Sequence, residues 1–218
     1  MLRTDLHIHT YFSRDCAIPP EGLVDRCVFS GLNCIAVTDH NTIQGALAIK
    51  EMAPLTVIIG EEIKTADGDI IGLFLHEEVP PGLTAFATAQ RIRAQGALVS
   101  IPHPFDRFRS SVIRPEALQD VLPLADIVEG FNARNILSKS NRKALALAEA
   151  HGLTVSAVSD AHTVREVGRT YVEMPEFDGT ALGFLEALRH GTLVTHRSSP
   201  LVHIASKYQT LKGRPPGW

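Results

Sequence analysis

The sequence predicts an α/β fold of repeated strand–helix units with its chemistry gathered along one edge of the sheet. Three observations carry this expectation. Apolar runs of strand length alternate with helical patterns along nearly all of the 218-residue chain. Glycine recurs at four helix-to-strand junctions, Gly31, Gly96, Gly152 and Gly191. Six polar clusters fall at the carboxyl ends of six apolar runs. Repeated βα units imply a mainly parallel sheet, open or closed into a barrel.

The elements follow in order. Leu2–Ile8 is the first strand. Pro20–Ser30 is a helix: Pro20 suits a first helical position, Glu21 suits the positive end of the dipole, and Gly31 supplies the left-handed turn that ends it. Asn33–Thr38 is a strand and Ile43–Met52 a helix. Thr56–Gly60 and Asp69–Leu75 read as strands before a helix at Leu83–Gln95, closed by Gly96. Ala97–Ile101 is followed by a helix at Pro115–Leu122, opened by Pro115 and Glu116. Asp126–Phe131 leads to a helix at Ser138–His151, closed by Gly152. Strands at Thr154–Ser159 and Thr170–Met174, a helix at Thr180–His190 and a strand at Thr192–His196 complete the pattern. The strands are continuous runs of Val, Ile and Leu, as expected when both faces are buried. Residues 1–204 are expected to form one domain and 205–218, with the KGRPPGW tail, a surface extension.

Composition narrows the function classes. The net charge is −3, from 21 Lys and Arg against 24 Asp and Glu, which excludes a broadly basic nucleic-acid coat but not a local basic pocket. Apolar residues make up 44%, enough for a core without disulfide staples. No apolar run approaches the roughly 20 residues of a membrane span, and the start lacks an apolar stretch of signal-peptide length. Three cysteines, Cys16, Cys27 and Cys34, show no CxxC spacing and read as ordinary thiols of a reducing, cytoplasmic setting. No obligate protein partner is evident.

Histidine is the unusual residue, ten in 218. Five of them sit beside carboxylates at expected strand ends: DLHIHT at 5–10, TDH at 38–40, PHPFD at 102–106 and SDAH at 159–162. GEE at 60–62 and EGFN at 129–132 complete the six clusters. The carboxyl edge is where parallel α/β folds build their sites. His7 and His9, two apart on a strand, point to one face and offer a metal two nitrogens from one rigid element. Their bland alternative is a pair of half-exposed strand histidines. Asp5 and Asp39 are candidates to orient ligating imidazoles. Glu61 and Glu62 point apart, so one of them faces the site. His7, His9, His40, His103 and His162 with Asp15, Glu62 and Asp160 exceed the three or four donors of one zinc. They suit two or three divalent ions sharing carboxylates, with Zn, Mn or Fe favoured over Ca or Mg. His151 and His190 fit helix ends, His203 stands alone, and His76 and His196 are weaker candidates for the rim.

These motifs, in order and spacing, resemble the PHP family, named for its polymerase and histidinol phosphatase members. The resemblance runs from Asp5 to about His196. It is nearer the small stand-alone metal-dependent phosphoesterases than the histidinol phosphatases proper. It implies a distorted (β/α)7 TIM-like barrel with two or three divalent metals at the carboxyl ends of the strands. Carried over, His7, His9, Glu62 and Asp160 would hold one metal, Glu62 and His103 a second, and Asp15, His40 and His162 a third. The family spacing of Gly, any residue, Glu selects Glu62. Many members have a histidine where this chain has Asp69, so Asp69 is either a substitute ligand or the mark of a weak second site.

Such a set predicts hydrolysis of phosphate esters by a metal-bridged hydroxide. Asp39, Glu129 and Asn132 are expected near the chemistry, the last two in contact with substrate. Arg134 is the first candidate for the phosphate, ahead of Arg107, Arg109 and Arg197; Arg14, Arg165 and Arg169 also follow strand ends. Small phosphorylated metabolites or nucleotides are the expected substrates. A 5′–3′ exonuclease or phosphodiesterase working on short nucleic-acid ends is the alternative, and no long basic track supports extended binding. A non-catalytic metal-binding regulatory module is the reading of another class, and C–N hydrolysis a further chemistry for such a site. Short loops suggest an open site.

Overall fold

The computed structural model describes residues 1–199 together with Leu201, Val202, Ser206 and Tyr208. The tail sequence KGRPPGW and His203 lie outside the described residues.

Among residues 1–199, nine strands and six α-helices follow the expected order: β1 (Leu2–Ile8), α1 (Pro20–Ser30), β2 (Cys34–Val37), α2 (Gln44–Met52), β3 (Thr56–Thr65), β4 (Gly68–Leu73), α3 (Ala85–Ala94), β5 (Leu98–Ile101), α4 (Pro115–Val121), β6 (Ile127–Asn132), α5 (Ser138–His151), β7 (Thr154–Val158), β8 (Tyr171–Met174), α6 (Ala181–Arg189) and β9 (Thr192–Val194). Helix starts shift where a threonine caps rather than joins the helix. Thr84 accepts from the N–H of Ala87, and Thr180 from the N–H of Gly183 at 3.0 Å.

The strands form one sheet in the order β7-β6-β5-β4-β3-β2-β1-β8-β9. β1–β2, β2–β3, β5–β6 and β6–β7 pair in parallel. The expectation of a mainly parallel sheet needs correction at β4 and β8, which pair antiparallel with both neighbours. Between β3 and β4 only Ala66 and Asp67 intervene, too few for the crossover that a parallel pair needs. The sheet curls toward closure. Ile8 bridges Ala161 just beyond β7, and the His9 N–H reaches the Ala161 carbonyl at 3.0 Å.

Burial on two faces explains the continuous apolar runs. In β2, Cys34 and Ala36 join a cluster with Leu6, Ile58 and Phe184 of α6. Ile35 and Val37, on the other face, pack with Leu23 of α1 and Ile49 of α2. The three cysteines are buried free thiols. Helix-to-sheet packing thus leaves the carboxyl ends of β1, β2, β5, β6 and β7 gathered along one edge, with the far half of β3 beside them.

Candidate metal centre

His7 and His9 leave β1 on the same face, both fully buried, with their Nε2 atoms 2.9 Å apart. Each ring is fixed through its other nitrogen. His7 Nδ1–H donates to Glu129 Oε1 at 2.5 Å. His9 Nδ1–H donates to Ser13 Oγ at 3.1 Å, and Ser13 Oγ–H donates to Asp39 Oδ1 at 2.6 Å. Asp39 also accepts from the Thr10 N–H and hydroxyl at 2.7 and 2.6 Å. These bonds choose the tautomers and leave both Nε2 lone pairs facing the centre. Gly45 in α2 permits the brace, because a Cβ there would lie 2.0 Å from Asp39 Oδ2.

Carboxylates converge on the same point. Glu62 Oε2 lies 3.4 Å from each of these Nε2 atoms and 3.1 Å from His40 Nδ1. Its Oε1 lies 3.0 Å from His103 Nε2. Asp160 Oδ1 is 3.7 Å from both Nε2 atoms, buried and without a hydrogen-bond partner. Asp15 Oδ2 lies 3.1 Å from His162 Nε2 and 3.6 Å from His40 Nε2. Donor atoms within 4.8 Å of one another form three triads: His7, His9 and Glu62; Glu62, Asp69 and His103; and His9, His40 and His162. Glu62 and His9 are shared between triads. The buried, unpartnered Asp160 oxygen and this donor chemistry fit divalent ions.

The backbone is bent to aim these groups. His103 and Asp160 have φ of 30° and 53°, unfavourable for side-chain-bearing residues. Glu129 Oε2 holds the His103 N–H at 2.8 Å between Pro102 and Pro104. Asp5 Oδ1 accepts the Ser159 N–H at 3.1 Å on the approach to Asp160. Cys16 Sγ–H lies 3.3 Å from the carbonyls of both His9 and His162, between the two ligand-bearing turns.

Charge in the cluster is strongly coupled. Burial opposes charge on His7, but Asp160, Glu129 and Glu62 outweigh it and raise its pKa well above the usual value. Burial likewise opposes charge on His40, yet Glu62 and Asp15 raise it. Burial and the neighbouring His162, His40 and His7 push His9 well down. Burial works to raise Glu62 and Asp160, but His7 and His40 around the first, and Arg109 and His7 around the second, hold both well below the carboxylate range. Asp69 is lifted to about 6 by burial and the Glu62 charge.

Several expectations need correction. Asp5 accepts backbone N–H groups, from Ser159 and from His7 at 3.4 Å, not a ring N–H, because it sits deeper in the sheet than the imidazoles. Asp39 reaches His9 only through Ser13. Glu129 and Asn132 do not face an open site: both are buried behind the donors, with Asn132 Nδ2 donating to Glu129 and, at 3.0 Å, to Asp160 Oδ2. Arg134 is buried too, donating to the Asp160 carbonyl at 3.3 Å and to Ser206 Oγ at 2.8 Å. Arg197 fastens the β6–α5 loop through the Asn135 and Ile136 carbonyls, and Arg107 is exposed in the β5–α4 loop. Arg109 alone of the four candidates brings its guanidinium to a donor carboxylate, pairing with Asp160 while Asp106 holds its Nε at 3.1 Å. His76 lies at the opposite edge because β4 runs antiparallel.

Glu61 does point away from Glu62, accepting the Val79 N–H at 2.8 Å, and burial pushes it to about 7. Sequence reasoning missed Ser13, Thr10 and Glu166. Glu166 accepts the His162 and Thr163 N–H groups. It stands four residues after His162, a spacing that could have flagged it.

The sequence model of a family described as PHP domain matches residues 5–159, and one described as PHP-associated matches 138–193. An uncharacterized protein of Methanocaldococcus jannaschii is 36% identical over 181 residues, covering 81% of this chain and 72% of its own. A two-domain protein of Bacteroides vulgatus, described as containing a predicted PHP-like metal-dependent phosphoesterase, superposes with a TM-score of 0.72 at 22% identity. The match covers 89% of this chain but only 65% of that protein, so the chain spans less than two thirds of it. A lesion-specific endonuclease of Pyrococcus furiosus superposes with a TM-score of 0.60 at 14% identity over 91% of this chain and 59% of its own. At such identities the two structures share the fold alone. Among the described residues no helix is long and apolar enough to cross a membrane.

Proposed function

The chain belongs to the PHP-domain family, and on that premise we propose that it is a metal-dependent phosphoesterase acting on small phosphorylated metabolites or nucleotides. The observation that carries this reading is the set of three donor triads joined through Glu62 and His9. His7, His9, Glu62 and Asp160 would hold one divalent ion, Glu62, Asp69 and His103 a second, and Asp15, His40 and His162 a third. Ions held there would supply a water of lowered pKa and offset the charge of phosphate oxygens.

The chain's own residues supply the rest. Glu129 and the Ser13–Asp39 relay hold protons on the Nδ1 atoms of His7 and His9, so that Nε2 is the atom each would offer to a metal. Asn132 and Arg109 fix Asp160. Arg109 is 20% exposed, so its guanidinium can reach an entering phosphate while Asp106 keeps its stem in place.

The test is Arg109→Ala in Mn²⁺-reconstituted protein, reading phosphate release and bound metal together. The expected result is a KM raised at least tenfold with metal content unchanged. Unchanged KM would remove Arg109 from the site. No phosphate release by the wild-type protein from any mononucleotide or sugar phosphate would remove the reading itself.

A further inference from the structure

The chain beyond β9 crosses the face that carries the candidate metal centre. β8 pairs antiparallel with β1, and β9 antiparallel with β8, so β9 runs in the direction of β1 and ends on the side of the donors. β7 and β9 are the two edges of the sheet. The residues after Val194 bridge the seam between them. Thr170, just before β8, pins the start: its hydroxyl donates to the His196 carbonyl at 2.7 Å and accepts the His196 N–H at 3.0 Å. The Ser198 N–H then reaches the Ala133 carbonyl, beyond β6, at 2.9 Å. The Arg197 guanidinium holds the Asn135 and Ile136 carbonyls at 3.1 and 2.8 Å. One edge of the sheet is thereby clasped to the β6–α5 loop beside the other.

The same segment reaches the donors through one buried side chain. Arg134 Nη2 donates to Ser206 Oγ at 2.8 Å and to the Val202 carbonyl at 3.5 Å. Ser206, itself buried, gives its own hydroxyl proton to that carbonyl at 3.3 Å. Arg134 Nη1 donates to the Asp160 carbonyl at 3.3 Å, and its Nε lies 3.7 Å from Glu166 Oε1. Glu166 Oε2 in turn accepts the His162 and Thr163 N–H groups at 3.2 and 3.0 Å. Arginine suits such a hub, because its donors are fixed in one rigid plane. The turn it supports bears two metal donors, Asp160 and His162. Asp160 has a φ of 53°, which the surroundings must hold in place. Asp69 and His103 are held from elsewhere, their N–H groups by the Ser111 carbonyl and by Glu129, both at 2.8 Å.

We propose that Ser206 is a positioning residue for the metal centre, acting through Arg134 on the turn that bears Asp160 and His162, while Arg197 and Ser198 tie the same segment across the seam. The proposal rests on the metal-binding reading of the centre and is independent of its substrate. Without the Ser206 oxygen, Arg134 keeps its charge but loses the closest acceptor on its outer side. Its plane is then free to turn toward Glu166, and the Asp160 carbonyl loses a fixed donor. Asp160 and His162 would be presented less accurately to an ion. A serine that served packing alone would affect the stability of the fold and leave the donors where they are.

The test is calorimetric titration of the metal-free full chain with Mn²⁺, beside the Tm of each protein in EDTA. Ser206→Ala is expected to weaken Mn²⁺ binding about tenfold, the low end for losing a partner behind a metal ligand. Arg197→Ala, which opens the clasp at its other fastening, should weaken binding in the same direction, and it decides the matter if Ser206→Ala fails to fold. Residues in one network act non-additively. In an Arg134→Gln background, Ser206→Ala should therefore have no further effect on Mn²⁺ affinity. A lowered Tm with unaltered Mn²⁺ affinity in Ser206→Ala and Arg197→Ala would overturn the proposal and leave the segment a purely structural brace. An undiminished effect of Ser206→Ala in the Arg134→Gln background would overturn the route through Arg134. The metal-binding reading fails separately: a wild-type chain that takes up no Mn²⁺ would remove the centre itself, whereas variants that bind Mn²⁺ as well as wild type would remove only the role of Ser206.

Discussion

Replacing Glu129 tests how the donors are held. Its Oε1 accepts from His7 Nδ1 at 2.5 Å, and its Oε2 accepts from the His103 N–H and Asn132 Nδ2, both at 2.8 Å. All three donors are buried. In Glu129→Ala, Asn132 keeps its bond to Asp160, but His7 Nδ1 and the His103 N–H lose their carboxylate partner. At about 1–3 kcal/mol for each buried donor left unsatisfied, the metal-free protein should lose about 2–6 kcal/mol. Glu129→Gln is gentler and more specific. An amide offers one acceptor oxygen where the carboxylate offered two. If its NH₂ faces His7, the ring must accept at Nδ1 and carry its proton on Nε2, where it cannot ligate. If the oxygen faces His7 instead, the NH₂ confronts the His103 N–H. Either arrangement should weaken Mn²⁺ binding by ~10–100-fold, the usual cost of losing a partner behind a ligand. Urea denaturation of the metal-free protein and calorimetric metal titration read the two effects. Wild-type metal affinity in Glu129→Gln would refute the reasoning that Glu129 sets the His7 tautomer.

Other consequences are as direct. In the metal-free protein the carboxylates around His7 and His40 make both rings hold a proton more tightly than an ordinary imidazole, so metal binding must displace protons. Affinity should therefore rise with pH up to those raised values, and calorimetry in buffers of different ionisation enthalpy should show net proton release; uptake would reverse the sign. Gly45→Ala drives a methyl to 2.0 Å from Asp39 Oδ2 and 2.7 Å from Thr10 Oγ1. It should cost about 1–3 kcal/mol of stability by overpacking and loosen the Ser13 bond to His9, read as a lower Tm with weakened metal binding. An unaltered Tm would mean the helix shifts freely.

The sequence made the order of elements and the donor set legible, because both rest on local signals. Apolar runs, Pro20 and Pro115 at helix starts, and glycines at helix ends are readable one segment at a time. The extension of β3 through Thr65 was not, since Glu61–Thr65 looks polar until Glu62 faces the donors and Ile63 the core. His7 and His9 were readable as a pair because strand geometry sets their common face. Arg134 and Glu129 were misread because sequence shows that a charge lies near a strand end but not whether it faces substrate or stands behind the ligands. Their roles depend on bonds spanning 26 residues from Arg134 to Asp160 and 122 from Glu129 to His7. Ser13 carried no signal, since an isolated serine after a strand is ordinary.

The most direct test of the account is product release from a 5′-phosphorylated mononucleotide and oligonucleotide by protein reconstituted with Mn²⁺, beside the same protein in EDTA and a His9→Ala variant. His9 is chosen because it belongs to two of the three triads. The account predicts product with Mn²⁺, none with EDTA, and a loss of at least a hundredfold in the variant. Product that persists in EDTA, or a His9→Ala protein as active as wild type, would contradict it.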